Sequence, residues 1–205
     1  MACKGLIFHA ELIPGMMAGT VTVTSLLIGL NRINDRPDEW EWCCEKDGRF
    51  EFLNREDPHV LFVIPCSFRV GERRYLKEAW YSWAYSDTPT GYLADEDIPH
   101  GQPYRIRSAR IMPREHARTW VEIVTVKPAR CQEITEEEML ASGLTPCNNL
   151  YRLYPTVLVG SPIWSKDARE GYAAFWDRLN ARKGFPWVSN PWTWRCTLKL
   201  CEAPK

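Results

Sequence analysis

The end of the chain constrains the fold most. Trp192, Trp194, Cys196, Leu198 and Leu200 alternate with Thr193, Arg195, Thr197 and Lys199. Residues two apart in a strand share a face, so this segment reads as a β-strand with one face in a core and the other in water. The same period recurs near the start, where Thr20-Val21-Thr22-Val23-Thr24-Ser25-Leu26 alternates polar and β-branched residues. Further strands are predicted at Leu6-Ile7-Phe8, over 59–64 as a buried apolar run stopped by Pro65, and over 73–80, 104–111 and 119–127.

Helical signals are fewer. A turn or short helix holding Met16-Met17 ends at Gly19. Thr135 caps a helix that runs to Gly143, with Glu138 at the reciprocal position. Tyr172, Phe175, Trp176 and Leu179 mark an amphipathic helix over 169–182, stopped by Gly184. A long insert at about 27–58 holds a hairpin at Asp47-Gly48, a long loop covers 84–103, and 144–168 reads as irregular. Many strands and few helices give an α+β fold: a small closed or nearly closed β-barrel decorated with short helices. Length fits a single domain over 1–205.

Charge excludes one class of function. The 26 basic and 26 acidic residues cancel, so no global field draws the chain to nucleic acid. Any such binding rests on a local patch. The eight cysteines contain no Cys-x-x-Cys and sit apart from the four histidines. They read as free thiols of a reducing cytosol rather than a disulfide framework or zinc site. No metal or cofactor is expected. Residues 12–30 lack charge, but Pro14, Gly15, Gly19 and Gly29 break the stretch. A spanning helix needs about 20 mainly apolar residues. The expectation is a cytoplasmic protein with no membrane partner.

One strand carries an anomaly. In Arg73-Arg74-Tyr75-Leu76-Lys77-Glu78-Ala79-Trp80, Leu76, Glu78 and Trp80 share the face that should be buried. Arg73, Tyr75 and Lys77 share the wet one. A buried carboxylate is costly unless it is paired or has chemical work to do. Glu78 therefore either pairs with a core arginine or serves a site.

Several segments, in order, resemble the bacteriophage ASCH-domain proteins of the PUA-like superfamily, often labelled morphogenetic proteins. They are Leu6-Ile7-Phe8, Met17-Ala18-Gly19, Val70-Gly71 through Trp80, Ile111-Met112-Pro113-Arg114-Glu115-His116-Ala117-Arg118, Ile134-Thr135-Glu136-Glu137-Glu138, Phe175 through Asn180, and Asn190-Pro191-Trp192-Thr193-Trp194. The resemblance implies a PUA-like barrel whose cleft accepts a nucleotide, a modified base or single-stranded RNA. In related ASCH enzymes that hydrolyse acylated cytidine, a Lys, a Thr and a Glu form the proposed catalytic set. Glu78 matches the Glu, and Thr22 or Thr24 the Thr. Val21 stands where the family has lysine, and valine can neither act as a base nor hold an anion.

The remaining chemistry is binding. Arg105, Arg107, Arg110, Arg114, His116 and Arg118 lie close in sequence, near Trp80, Trp83, Tyr85, Tyr92 and Tyr104. Basic groups among aromatics suit a phosphate-bearing, stackable ligand. The plain alternative is a solvated strand edge. The leading expectation is a phage-type ASCH protein that binds a nucleotide or single-stranded nucleic acid, and so sequesters a host signalling nucleotide or recognises modified bases. The alternatives are a hydrolase of acylated nucleosides or RNA using Glu78 and a threonine, and a virion-assembly or host-interaction protein with a tryptophan-rich surface.

Overall fold

The computed structural model describes residues 4–95, 104–153 and 163–204. Part of the expected 84–103 loop and part of 144–168 lie outside these residues. The chain is α+β, with strands dominating. In order the elements are β1 (Gly5–Ile7), α1 (Ile13–Met17), β2 (Val23–Leu26), α2 (Asn31–Asn34), β3 (Trp40–Lys46), β4 (Arg49–Asn54), β5 (Leu61–Pro65), β6 (Arg73–Lys77) and β7 (Trp80–Trp83). Then come β8 (Gly91–Tyr92), β9 (Tyr104–Arg107), β10 (Trp120–Arg130), α3 (Glu136–Ala141), β11 (Leu144–Cys147), β12 (Leu150–Leu153), β13 (Ile163–Ser165), α4 (Ala168–Asn180) and β14 (Trp192–Cys201).

The central sheet has the order β1-β6-β10-β14-β2. β1 runs parallel to β6, and the other pairs are antiparallel. β1 and β2 are its two ends, so the expected barrel is not closed by hydrogen bonds among the described residues. Three smaller sheets, β3-β4-β5, β8-β7-β9 and β11-β12-β13, complete the set.

β14 holds the core together. The Trp194 ring packs on Phe50 at 4.8 Å and the Trp192 ring on Phe52 at 5.2 Å, which seats the β3–β4 hairpin on the central sheet. Both indole N–H groups are satisfied: Trp194 donates to the Ile28 carbonyl at 2.8 Å and Trp192 to that of Pro37 at 3.1 Å. Asn34 of α2 clamps the start of the strand, accepting from the Trp192 N–H at 2.7 Å and donating to its carbonyl at 2.9 Å.

The opposite face departs from expectation. Thr193 and Arg195 are buried there, and on the expected core face Leu200 is exposed. Arg195 is 3% exposed because Glu138 of α3 meets it at 2.6 Å, and the Ser25 hydroxyl and Arg130 carbonyl accept its remaining bonds. α3 and α4 cover this face through a second apolar cluster that includes Met139, Leu144, Tyr172 and Trp176.

Other expectations are corrected in the same way. The 73–80 segment breaks after Lys77, and β6 and β7 join different sheets. Leu76, Glu78 and Trp80 are all buried, but so is Tyr75, whose ring packs against Trp120. β5 is an edge strand whose Leu61 and Val63 are 43% and 47% exposed, so it is not the buried strand its composition suggested. Within 144–168, β11, β12 and β13 are ordered strands. The hairpin at Asp47-Gly48 is present, with both residues at positive φ (53° and 71°), as a tight turn between antiparallel strands demands. The Thr135–Glu138 capping box is also present.

Among the described residues, no helix is long and apolar enough to cross a membrane.

Candidate functional site

A cavity of about 620 Å³ opens where the central sheet fails to close. Ile7 of β1 and its followers Phe8 and His9 line one side, and β2 from Val23 to Leu26 lines the other. Tyr172, Phe175, Trp176 and Leu179 of α4 cover it, and Ser142, Ser108 to Arg110, Lys183 and Phe185 also line it. Two sheet edges therefore present backbone at one opening, under an aromatic lid.

Chain geometry explains each part. Leu12 reaches the cavity because Gly143, at φ 107°, leaves room for it: a Cβ there would stand 2.6 Å from Leu12 Cδ2. Tyr172 is held by its hydroxyl, which shares hydrogen bonds with Ser25 and Ser142, and burial pushes its pKa up. The Trp176 indole donates to the Phe185 carbonyl at 2.9 Å, which pins the turn after α4 against the helix. Lys183 sits in that turn, where its ammonium donates to Asn180 Oδ1 at 3.2 Å.

The charges on the lining share one sign. Arg110, Lys183 and His9 contribute cations or a proton-accepting ring, and among the described residues no Asp or Glu lines the cavity. None of the three takes part in a salt bridge among the described residues. They repel one another. Burial and the Lys183 charge lower the pKa of His9. Burial and Arg110 lower that of Lys183. The Lys77 ammonium donates to the Arg110 carbonyl at 2.9 Å and brings a further positive charge to the rim.

The sequence-derived residues separate into two places. Thr24 and Arg110 line the cavity. Glu78 and Trp80 do not. The Glu78 carboxylate is 0% exposed and accepts two bonds from Arg118, at 2.9 and 2.8 Å. Arg118 also meets Asp95 at 2.7 Å and lies 4.1 Å over the Tyr92 ring. Burial raises the Glu78 pKa, and Arg118 opposes that shift. Trp80 packs 5.8 Å from the His116 ring, and its buried indole N–H has no partner among the described residues.

The remaining arginines disperse. Arg107 pairs with Asp87 at 2.6 Å, Arg114 lies 5.2 Å over Trp120, and Arg105 is exposed on β9. Thr22 gives its N–H to the Ala141 carbonyl and accepts from the Leu198 N–H. Val21 is a core residue packed against Gly15, so a lysine at this position would bury its ammonium.

Sequence reasoning missed His9, Lys183 and the serines. The aromatic stripe of α4 was visible at helical spacing, but that spacing does not say which residues face a void. Among the described residues, no three His, Cys, Asp or Glu side chains group as metal ligands. No protein-family model matches the sequence, and neither the curated proteins nor the solved structures yield a match.

Proposed function

We propose that the protein binds a nucleotide in the opening between β1 and β2, as an ASCH-like, PUA-like binding protein. One observation carries this reading. The cavity combines a wall of aromatic rings, several hydroxyls and cations outside any salt bridge, with no carboxylate lining it among the described residues. Rings on which a base stacks, beside cations that hold phosphate, are the chemistry of single nucleotides and single strands. The volume of about 620 Å³ falls within the range of small-molecule sites. The open edges of β1 and β2 add backbone donors and acceptors for the edge of a base.

Binding is favoured over hydrolysis. The carboxylate proposed as catalytic is engaged by Arg118 and fully buried, and Val21 supplies no base. Sequestration of a signalling nucleotide needs no turnover and fits this arrangement.

The test is to denature the purified protein and identify released small molecules by mass spectrometry. A stoichiometric nucleotide supports the proposal. A protein that carries no nucleotide, and that gains none on incubation with a nucleotide mixture, contradicts it.

A further inference from the structure

The cations of the cavity select the form of the phosphate. We infer that the site takes a terminal phosphate, a phosphomonoester dianion or a longer phosphate chain, rather than the internal diester of an RNA strand, and that binding takes up a proton at His9. This rests on the nucleotide reading above.

The argument is one of charge balance. Arg110 and Lys183 line one cavity with no acid in its wall among the described residues. Each is close enough to its neighbour that Arg110 lowers the Lys183 pKa and Lys183 lowers that of His9. Uncompensated like charges at one opening are unfavourable in the empty protein, and an anion removes the penalty. An internal diester brings a single negative charge and leaves one of the two permanent cations unmatched. A phosphomonoester brings about −1.5 to −2 at neutral pH. It matches Arg110 and Lys183 together. Ser108 and Thr24, also on the lining, offer hydroxyl donors.

His9 supplies the coupling. Burial and the Lys183 charge hold its imidazole below the ordinary histidine range, which favours the neutral ring before an anion binds. The groups around it are Lys183 from the turn after α4, Arg110 from the turn after β9, and Lys77 of β6, whose ammonium is tied to the Arg110 carbonyl. Glu11, two residues along, is absent from the lining. A dianion beside His9 reverses the sign of its surroundings and raises its pKa. Binding then carries net proton uptake around the ordinary imidazole titration range.

The experiment is isothermal titration calorimetry of the full chain. The probes are the four ribonucleoside 5′-monophosphates, the matching nucleosides, a dinucleoside monophosphate whose only phosphate is a diester, and pyrophosphate. Each is run in two buffers of different ionisation enthalpy. The expected result is a monophosphate bound about tenfold or more tighter than its nucleoside and than the diester. Proton uptake should vanish in His9→Gln, and affinity should fall about tenfold in Lys183→Gln. Neither side chain belongs to an apolar core cluster, so circular dichroism of the variants should match the parent.

Other outcomes separate the two proposals. Equal binding of monophosphate, nucleoside and diester overturns the terminal-phosphate inference and leaves nucleotide binding standing. Pyrophosphate binding that depends on Lys183, with no preference for any nucleotide, supports the phosphate site and overturns the base-binding reading. Unchanged heats across buffers overturn the His9 coupling. No binding of any probe overturns both proposals.

Discussion

Arg118 clasps the buried Glu78 carboxylate with two hydrogen bonds of 2.9 and 2.8 Å. The pair ties the turn between β6 and β7 to the strand region before β10. It converts an anomalous carboxylate on a core face into a joint between two sheets. A fully buried carboxylate with this partner is structural first.

Arg118→Met should therefore destabilise strongly, and more at high pH. Burial already raises the Glu78 pKa, and the substitution removes the group that opposes it. A carboxyl whose folded pKa is raised contributes stability below its unfolded value. That contribution is lost as pH rises through the folded pKa. Urea denaturation should show a loss of about 3 kcal/mol at pH 8 and a smaller one at pH 5. A loss equal at both values would contradict this account of the pair.

Glu138 should behave in the opposite way. Burial raises its pKa, but Arg195 and the Thr135 N–H outweigh burial and the net shift is downward from 4.5. Its contribution is present above about pH 4.5 and lost as pH falls through the depressed folded value. Glu138→Gln should cost about 1–3 kcal/mol at pH 7, since it weakens the main partner of a buried guanidinium. The gap between variant and parent should narrow as the solution is acidified toward pH 3. A gap that widens on acidification would be inconsistent with the pairing.

Gly143→Ala tests the packing beneath the cavity. The residue sits at φ 107°, and a Cβ there would meet Leu12 Cδ2 at 2.6 Å. Strain alone should cost about 1–2 kcal/mol, and displaced Leu12 should also weaken ligand binding. Thermal unfolding and a binding titration read both effects. A variant of parental stability would mean that the loop after α3 relaxes freely.

Arg110 and Arg114 should differ, although the sequence groups them. Arg110 lines the cavity and Arg114 lies over Trp120. Arg110→Gln should weaken nucleotide binding about tenfold, with a loss that shrinks as salt rises. Arg114→Gln should leave affinity within about twofold, because a surface change away from the ligand costs little. Equal losses from both would restore the arginine run as one binding surface.

What the sequence made legible was local. The capping box joins Thr135 to Glu138, three residues on, and the Asp47-Gly48 turn joins adjacent strands. Each is decided by neighbours in the chain. The face of β14 was misread at Arg195 because its partner Glu138 arrives from another element. β5 was misread as buried because composition cannot tell an edge from a centre. The candidate site was least legible. His9 and Lys183 lie near opposite ends of the chain and meet only because α4 covers the gap between β1 and β2. The arginine run looked like one patch, but Asp87, Asp95 and Glu78 neutralise two of its members.

The central claim is that a nucleotide occupies the opening between β1 and β2. Photo-crosslinking with an azido-nucleotide, followed by peptide mass mapping, tests it most directly. The account expects saturable labelling within Phe8–Leu12 and Tyr172–Lys183, blocked by excess unmodified nucleotide and reduced in Lys183→Gln. Labelling confined to the Trp83–Tyr85 or Arg114–Arg118 surface, or labelling that no competitor blocks, would contradict it.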